Sequence, residues 1–166
     1  LAVRGEFLLR KVVYVQGCVF SQGHAAIYDE AHQMIGAVQH DENGRVQVMN
    51  GEGRGVAFGK FIPTCKKWVV MNHDGQEVGQ MREKFSLFSK KCEYNVYERG
   101  TFTISFDLTK GKFSVRSAAG EVVAELLQDG DEYRLVKDAD KLSMYELLSV
   151  LKSLTNNVHY KSLTAV

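Results

Sequence analysis

Three histidines recur at intervals of eight residues and are the first candidates for metal or acid–base chemistry: His24, His32 and His40. A metal site needs several ligands that converge on one point. Strand alternation and the intervening turns give these imidazoles no reason to converge, and the sequence contains no His-Glu-x-x-His motif. His73 precedes a turn and is interpreted as a solvent-exposed turn residue. The histidines therefore predict no metal site.

Cysteines are the next candidates, as thiol nucleophiles or metal ligands. Cys18, Cys65 and Cys92 are odd in number and widely separated, with no Cys-x-x-Cys pair, which argues against a disulfide framework and against a zinc site. Their pattern favours a reducing, intracellular environment. A reactive thiol would also need a base such as His73 beside it, and nothing in the sequence fixes that geometry. We interpret Cys65 and Cys92 as small buried hydrophobic residues.

Carboxylates and glycines fall where turns are expected. Segment 51–55, Gly-Glu-Gly-Arg-Gly, has neither the Gly-Lys-Ser/Thr nor the following helix of a phosphate loop, so it is interpreted as a hairpin turn in which Arg54 remains available to an anion. No catalytic residue, cofactor or metal is predicted, and the protein is not expected to be an enzyme. Hydrogen bonds to the turn backbone explain five aspartates without an acid–base role: Asp29, Asp41, Asp74, Asp129 and Asp131.

Basic residues concentrate between positions 60 and 91 and give the clearest binding signal. Trp68, Phe85 and Phe88 lie among them, with few acidic residues to offset the charge. On neighbouring strands they would form a patch that attracts anionic lipid headgroups, at about 1 kcal/mol per charge near a membrane. The alternative is a solvated sheet face on which lysine pairs protect strand edges from aggregation. The candidate lipid or anion ligands are Lys60, Lys66, Lys67, Arg82, Lys84, Lys90 and Lys91.

Size and charge narrow the classes of function. The chain has 166 residues, 45% hydrophobic and 25% charged, so we expect one globular domain over residues 1–166. A formal net charge of +1 gives no global field to attract nucleic acid, so only a local patch would bind anions. No apolar run has transmembrane length and no signal-peptide pattern opens the chain. A cytoplasmic protein, at most peripheral at a membrane, is expected.

Strands must position these residues, because strand-like alternation dominates the chain. Turns such as Asn50-Gly51 and Asp129-Gly130 separate successive runs and are typical of hairpins. Even spacing favours an antiparallel meander that closes on itself and leaves no long unpaired edge. Twelve runs are predicted, at about residues 7–15, 24–29, 34–40, 45–49, 54–60, 67–72, 77–84, 91–97, 101–107, 112–117, 121–128 and 132–137.

The strand pattern also repeats faintly, with a period of 43 to 45 residues. Ile27-Tyr28-Asp29, Val70-Met71-Asn72 and Val115-Arg116-Ser117 each end a strand at a polar turn. The next strand then begins with an apolar pair and a small residue. The pattern is either a true repeat or the ordinary likeness of successive hairpins, and in both cases it indicates a hairpin array and not a helical solenoid.

One helix is predicted, over residues 143–154, followed by a tail at 155–166. Ser143 and Glu146 form a capping-box signature at its start. Tyr145 and Val150 widen an apolar face at helical spacing that consists of Met144, Leu147, Leu148, Leu151 and Leu154. This face needs a nearly enclosing apolar partner. A polar stripe remains on the helix, formed by Glu146, Ser149, Lys152 and Ser153.

Two segments resemble the LURP-one-related family. Residues 74–88, Asp-Gly-Gln-Glu-Val-Gly-Gln-Met-Arg-Glu-Lys-Phe-Ser-Leu-Phe, resemble its central signature, an Asp-Gly hairpin followed by a basic strand that ends in Phe-Ser-Leu-Phe. The second segment is 119–125, Ala-Gly-Glu-Val-Val-Ala-Glu, followed by 131–136 and the apolar helix. The likeness covers about residues 66–155, and the N-terminal third matches only in its plan of strands and turns.

The resemblance implies a fold similar to the tubby C-terminal domain: a closed twelve-stranded antiparallel β-barrel around a central, hydrophobic C-terminal helix. Phospholipid scramblases look like relatives. Better-known tubby proteins bind phosphoinositides through basic residues, which favours the lipid hypothesis, although no individual ligand matches by motif. A calcium site of scramblase type is not indicated, because the sequence has no Asp-x-Asp-x-Asp-Gly-like loop.

The leading hypothesis is a non-enzymatic intracellular β-barrel module that binds an anionic, phosphoinositide-like membrane lipid or a protein partner. The alternatives are a small-molecule carrier with a cavity on the order of several hundred Å³ beside the helix, and a scramblase-like membrane-associated protein. The helix is expected to be an internal strut. Its polar stripe predicts an open side, exposed at a barrel mouth or a gap between strands, or covered by the tail.

Overall fold

A computed structural model describes residues 10–16, 24–40, 44–86, 89–107, 109–130, 132–138 and 142–153. Within these ranges the chain forms twelve strands and then one helix, α1 (144–153). Each strand falls on one of the predicted runs, and α1 lies within the predicted helix, while Leu154 and the tail lie outside the described residues. The strands are β1 (Arg10–Gln16), β2 (His24–Tyr28), β3 (Met34–His40), β4 (Val46–Asn50), β5 (Gly55–Ile62), β6 (Lys67–Asn72), β7 (Glu77–Ser86), β8 (Ser89–Val96), β9 (Gly100–Asp107), β10 (Lys112–Arg116), β11 (Val122–Asp129) and β12 (Glu132–Asp138).

Successive strands pair in antiparallel register, and the ring of strands is closed. β1 pairs with β12 from Arg10 opposite Asp138 to Gln16 opposite Glu132. Closure gives the first and last strands a partner, so backbone groups that would otherwise form open edges are used in the ladder. The predicted closed antiparallel barrel of twelve strands is confirmed.

Four hairpins at one end of the barrel share a turn design: β2–β3, β4–β5, β6–β7 and β10–β11. The last residue before each turn accepts a backbone hydrogen bond from the residue three positions on, at 2.9 to 3.0 Å. Its side-chain oxygen accepts a second bond from the residue four positions on, at 2.9 to 3.3 Å. These closing residues are Asp29, Asn50, Asn72 and Ser117.

The same four hairpins share their backbone irregularities. Each ladder shifts register just before its turn, as between Val70 and Met71. The third turn position has a positive φ in every copy, at His32 (58°), Gly53 (81°), Gly75 (78°) and Gly120 (87°). The predicted likeness of the turns at Asp29, Asn72 and Ser117 is therefore observed, and Asn50 adds a fourth copy about midway between the first two, which does not fit a period of 43 to 45 residues. We refer to this as the repeat end of the barrel.

Helix α1 lies inside the barrel. Leu147 and Val150 are fully buried and Leu151 is 1% exposed. On one side, Leu148 and Leu151 line a small cavity with residues of β1, β2, β3, β11 and β12. On another side, Ser149 lies against Gly59 of β5 and Trp68 of β6. Because strands from opposite parts of the ring contact α1, the helix is the centre of the core, as predicted.

The prediction that the polar stripe is exposed at a barrel mouth or at a gap between strands is wrong, while the tail, which was the predicted alternative cover, lies outside the described residues. Ser149 is fully buried, Lys152 is 3% exposed and Ser153 is 7% exposed, so only Glu146 of the stripe is partly exposed. A glycine on the facing strand makes room for Ser149: a Cβ on Gly59 would collide with Ser149 Oγ and lie 2.6 Å from Trp68 Nε1. Ser149 thus packs against a glycine, whereas Lys152 lines the small cavity beside β1, β2, β3, β11 and β12.

Candidate functional site

Strand alternation determines which basic residues reach the outer surface. On β7, Gly79 and Met81 are buried in the barrel, whereas Arg82 is exposed on the outer face. Arg82 lies directly opposite Glu93 of β8, and two positions on, Lys84 lies opposite Lys91. Lys91 is exposed and alternates with buried Cys92. Adjacent strands thus contribute cations to one outer surface.

β6 and β5 extend this surface. Trp68 pairs with Met81, so Lys67 and Arg82 are the next neighbours along the ladder and share the outer face. Lys67 Nζ donates to Gln80 Oε1 at 3.2 Å, which holds the ammonium group across β7. Lys60 on β5 lies opposite Val69, which faces outward but is only 2% exposed. We refer to the outer surface carrying Lys60, Lys67, Arg82 and Lys91 as the basic face.

Not all seven predicted ligands are brought together. Lys66 is exposed in the β5–β6 turn with a φ of 51°, so it borders the basic face. Lys90 pairs with Phe85, one position out of step with Lys91. The side chains of Lys84 and Lys90 lie outside the described residues. Four of the seven side chains therefore form the basic face, one borders it, and two have a described backbone only.

An acidic residue interrupts the positive charge of the basic face, which the sequence did not suggest. Glu93 sits directly opposite Arg82 in the ladder, whereas Glu83 pairs with buried Cys92 and belongs to the opposite face of the sheet. Both glutamates make interactions of their own. Glu93 lies outside residues 60–91, and only the register of β7 and β8 places it beside Arg82, so counting acidic residues within that range did not reveal it.

A groove of about 620 Å³ lies beside the basic face, on the outside of β3 to β6. Phe58 and Met71, which are paired across β5 and β6, give it an apolar floor, and Gln47 lies opposite Phe58 on β4. Arg45 and Lys60 line the same groove. Lys60 thus belongs to both features. The groove was not predicted, because cross-strand pairs create it and local sequence does not.

The cavity that the described residues form beside α1 offers little room for a ligand. The cavity beside α1 that is lined by Val15, Ala25, Leu148 and Leu151 has a volume of about 10 Å³. One water molecule needs roughly 10 to 15 Å³ by the same kind of measure. This cavity is far smaller than a small-molecule carrier would require and does not support that alternative.

Perturbed titratable groups occur near the start of α1. Burial raises the pKa of Glu146, and Arg99 opposes that shift. Burial also raises the pKa of Tyr94, with Glu146 adding to the effect. On the surface, a hydrogen bond to Glu77 is the main cause that raises the pKa of Tyr97 to about 12. Since burial is the main cause at Tyr94 and Glu146, these shifts reflect packing and do not define a proton-transfer pair.

The other candidate residues occupy structural positions. His32 stacks on Tyr14 with ring centroids 6.0 Å apart, and Cys92 is buried as predicted. Cys65 is exposed in the β5–β6 turn, so its predicted burial is wrong, because a hairpin tip contacts no core. Among the described residues, no group of three or more His, Cys, Asp or Glu side chains is placed to hold a metal. Residues outside the described ranges include Cys18, Asp41 and Asp131.

Other turn residues and the helix fit this pattern. Asp29 caps the β2–β3 turn, and Arg54 is exposed in the β4–β5 turn, where its backbone N–H donates to Asn50 Oδ1 at 3.1 Å. In the part of the chain that the structure describes, no helix is long and apolar enough to cross a membrane.

Comparisons with known proteins place the chain in a family. An X-ray structure of a protein from Arabidopsis thaliana aligns with a TM-score of 0.63 at 13% sequence identity, covering 90% of this chain and 91% of that one. At this identity the likeness shows the fold alone. No match was found among curated proteins. The family model described as LURP-one-related matches residues 11–144, and the chain therefore belongs to the LURP-one-related family.

Proposed function

We propose that the protein is a non-enzymatic β-barrel module that binds anionic, phosphoinositide-like membrane lipid through its basic face, as a cytoplasmic protein peripheral at the membrane. Family membership and the barrel fold support a non-enzymatic β-barrel domain. The lipid part rests on one observation: the strand register gathers Lys67, Arg82 and Lys91 on adjacent strands.

The strength of the proposed interaction follows from the number of cations. A Lys or Arg near an acidic membrane contributes about 1 kcal/mol, so the basic face supplies at most about 4 kcal/mol. That free energy corresponds to a dissociation constant of about 1 mM. Glu93, opposite Arg82, lowers the total further. Binding by charge alone is therefore weak, reversible and sensitive to salt.

Sedimentation with vesicles tests this proposal. Vesicles of phosphatidylcholine that contain phosphatidylserine or a phosphoinositide should carry more protein than vesicles of phosphatidylcholine alone. Raising NaCl from about 0.05 to about 0.5 M shortens the screening length several-fold and should remove most of the difference. Equal sedimentation with acidic and neutral vesicles at low salt would exclude the lipid function.

A protein partner is the second candidate, and the groove on β3 to β6 is the observation that favours it. Its apolar floor of Phe58 and Met71 beside Lys60 fits an extended segment that carries an apolar and an acidic residue. A photo-reactive amino acid at position 58 should then form a specific protein adduct in cells, whereas one at position 116, on the far side of the barrel, should not. Adducts that are the same at both positions would count against a partner in this groove.

A further inference from the structure

Three large hydrophobic side chains are exposed among the described residues: Met34 (58%), Phe61 (54%) and Val122 (43%). Met34 and Val122 begin β3 and β11 at the repeat end of the barrel. Phe61 lies at the other end, next to Lys60 of the basic face. We propose that the β5–β6 hairpin end inserts Phe61 into the interfacial layer of an acidic bilayer, with Lys60, Lys66 and Lys67 on the headgroups around it.

Phe61 reaches solvent because β5 extends past its partner β4: the β4–β5 ladder ends at Gly59, whereas the β5–β6 ladder continues to Ile62. Gly59 and Phe61 are on the same face of β5, since residues two apart on a strand share a face. Gly59 is buried against α1, whereas Phe61, two positions on, is half exposed. Its cross-strand partner Trp68 is only 5% exposed. The ring of Phe61 therefore projects from the rim of the barrel while its neighbour remains packed.

The surroundings of Phe61 match an interfacial membrane contact. The hairpin continues through exposed Pro63, Thr64 and Cys65, and the backbone N–H of Lys66 donates to Pro63 O at 3.3 Å to close the turn. No acidic residue occurs between Lys60 and Lys67. An apolar ring flanked along the hairpin by lysines complements the acyl and headgroup layers of an acidic leaflet.

The free energy of membrane binding also favours an apolar contact in addition to the charges. Reversible anchoring by charge alone is marginal, and stable peripheral binding generally combines two signals. Transfer of the exposed half of a phenylalanine ring from water should strengthen partitioning about tenfold. This inference rests on the proposed function, because the lysines must first bring the hairpin to an acidic surface.

Two matched variants test the insertion, Phe61→Ser at the hairpin and Met34→Ser at the repeat end. Both remove one exposed apolar side chain without changing charge, and a normal thermal transition will show that each variant is folded. Partitioning to phosphatidylserine vesicles should weaken about tenfold in Phe61→Ser and stay unchanged in Met34→Ser. Because the lost contact is apolar, the deficit should remain the same at every salt concentration at which binding is measurable.

A fluorophore on Cys65 provides a second measurement with Phe61 intact. In a Cys18→Ser background, Cys65 is exposed and Cys92 is buried, so an environment-sensitive label will react mainly at the hairpin tip. On binding, its emission should shift to the blue and be quenched by lipids brominated near the glycerol. Unchanged binding of Phe61→Ser together with an aqueous emission spectrum on bound protein would overturn the insertion and leave lipid binding by charge intact. Failure of the unmodified protein to bind acidic vesicles would overturn both.

Discussion

Ser149 places a hydroxyl group at the centre of a hydrophobic barrel. Burying this group lowers the free energy of unfolding. Its Oγ has no hydrogen-bond partner among the residues that the structure describes, and the same is true of Trp68 Nε1 nearby. An unsatisfied buried polar group costs about 1 to 3 kcal/mol. The small side chain is nevertheless required, because it occupies the space left by Gly59.

Replacement of Ser149 by Ala should therefore stabilise the protein. Alanine keeps the small volume and removes the unsatisfied hydroxyl, so the free energy of unfolding should rise by about 1 kcal/mol. Ser143→Ala in the same helix is the matched control, because Ser143 Oγ accepts the N–H of Glu146 at 3.5 Å and caps α1. Loss of that cap should cost about 1 kcal/mol. Urea unfolding measures both values, and a loss of stability in Ser149→Ala would contradict this account of the stripe.

Glu146 should make stability depend on pH. Burial raises its pKa above the ordinary value of 4.5, so the folded state prefers the protonated carboxyl. The folded protein therefore loses stability as pH rises from the ordinary pKa through the raised one, and the loss is complete above the raised pKa. Glu146→Gln, which resembles the protonated form, should be more stable than the native protein at pH 7 and equal to it near pH 4. Thermal unfolding across this range measures the difference, and a stability gap that is independent of pH would contradict the assignment.

Single residues also show where sequence interpretation reaches its limit. Cys65 is exposed because it lies in a four-residue hairpin turn. A more accurate prediction of where β5 ends and β6 begins would have placed it there. The burial of Ser149 and Lys152 has a different origin. The residues that surround them belong to strands far away in the chain. A helical wheel of α1 therefore does not show that Gly59 lies opposite Ser149.

At the scale of elements, the hairpins explain why the strands were predictable. Turn residues such as Asn50, Asn72 and Gly75 determine the conformation of the backbone next to them. The sequence alone therefore indicates where each strand ends. Pairing register is not local. The position of Glu93 opposite Arg82, and of Phe58 beside Met71, required the folded barrel. The basic strands were therefore predicted, whereas the acidic interruption of the basic face and the neighbouring groove were not.

The shared turn predicts a specific cost for losing one of its glycines. Gly75 has a φ of 78°, and a Cβ added there would meet nothing within 4 Å. Gly75→Ala should therefore lower the free energy of unfolding by about 1 kcal/mol through backbone strain alone. Gly51→Ala, in the equivalent β4–β5 turn, is the control. Gly51 is not among the glycines with positive φ, and its added Cβ would meet Ile35 O at an ordinary 3.5 Å. Equal losses in the two variants would argue against the shared turn conformation.

For the whole molecule, the important fact is the contrast between overall charge and local charge. A net charge of +1 gives no general attraction to an acidic surface, so the proposed binding depends on where the cations lie. The closed barrel provides a rigid wall on which strand register fixes them. Position on the ring of strands, and not total charge, should therefore decide membrane binding.

The most direct test compares two triple charge reversals with the same net charge. The first replaces Lys67, Arg82 and Lys91 of the basic face by Glu, and the second replaces exposed Lys11, Arg116 and Arg134, which lie on β1, β10 and β12. Each takes the formal net charge from +1 to −5, because three cations become three anions. In sedimentation with phosphatidylserine vesicles at low salt, the first variant should lose binding, whereas the second should retain most of it. Equal losses in both variants, or full binding by the first, would contradict the assignment of lipid binding to the basic face.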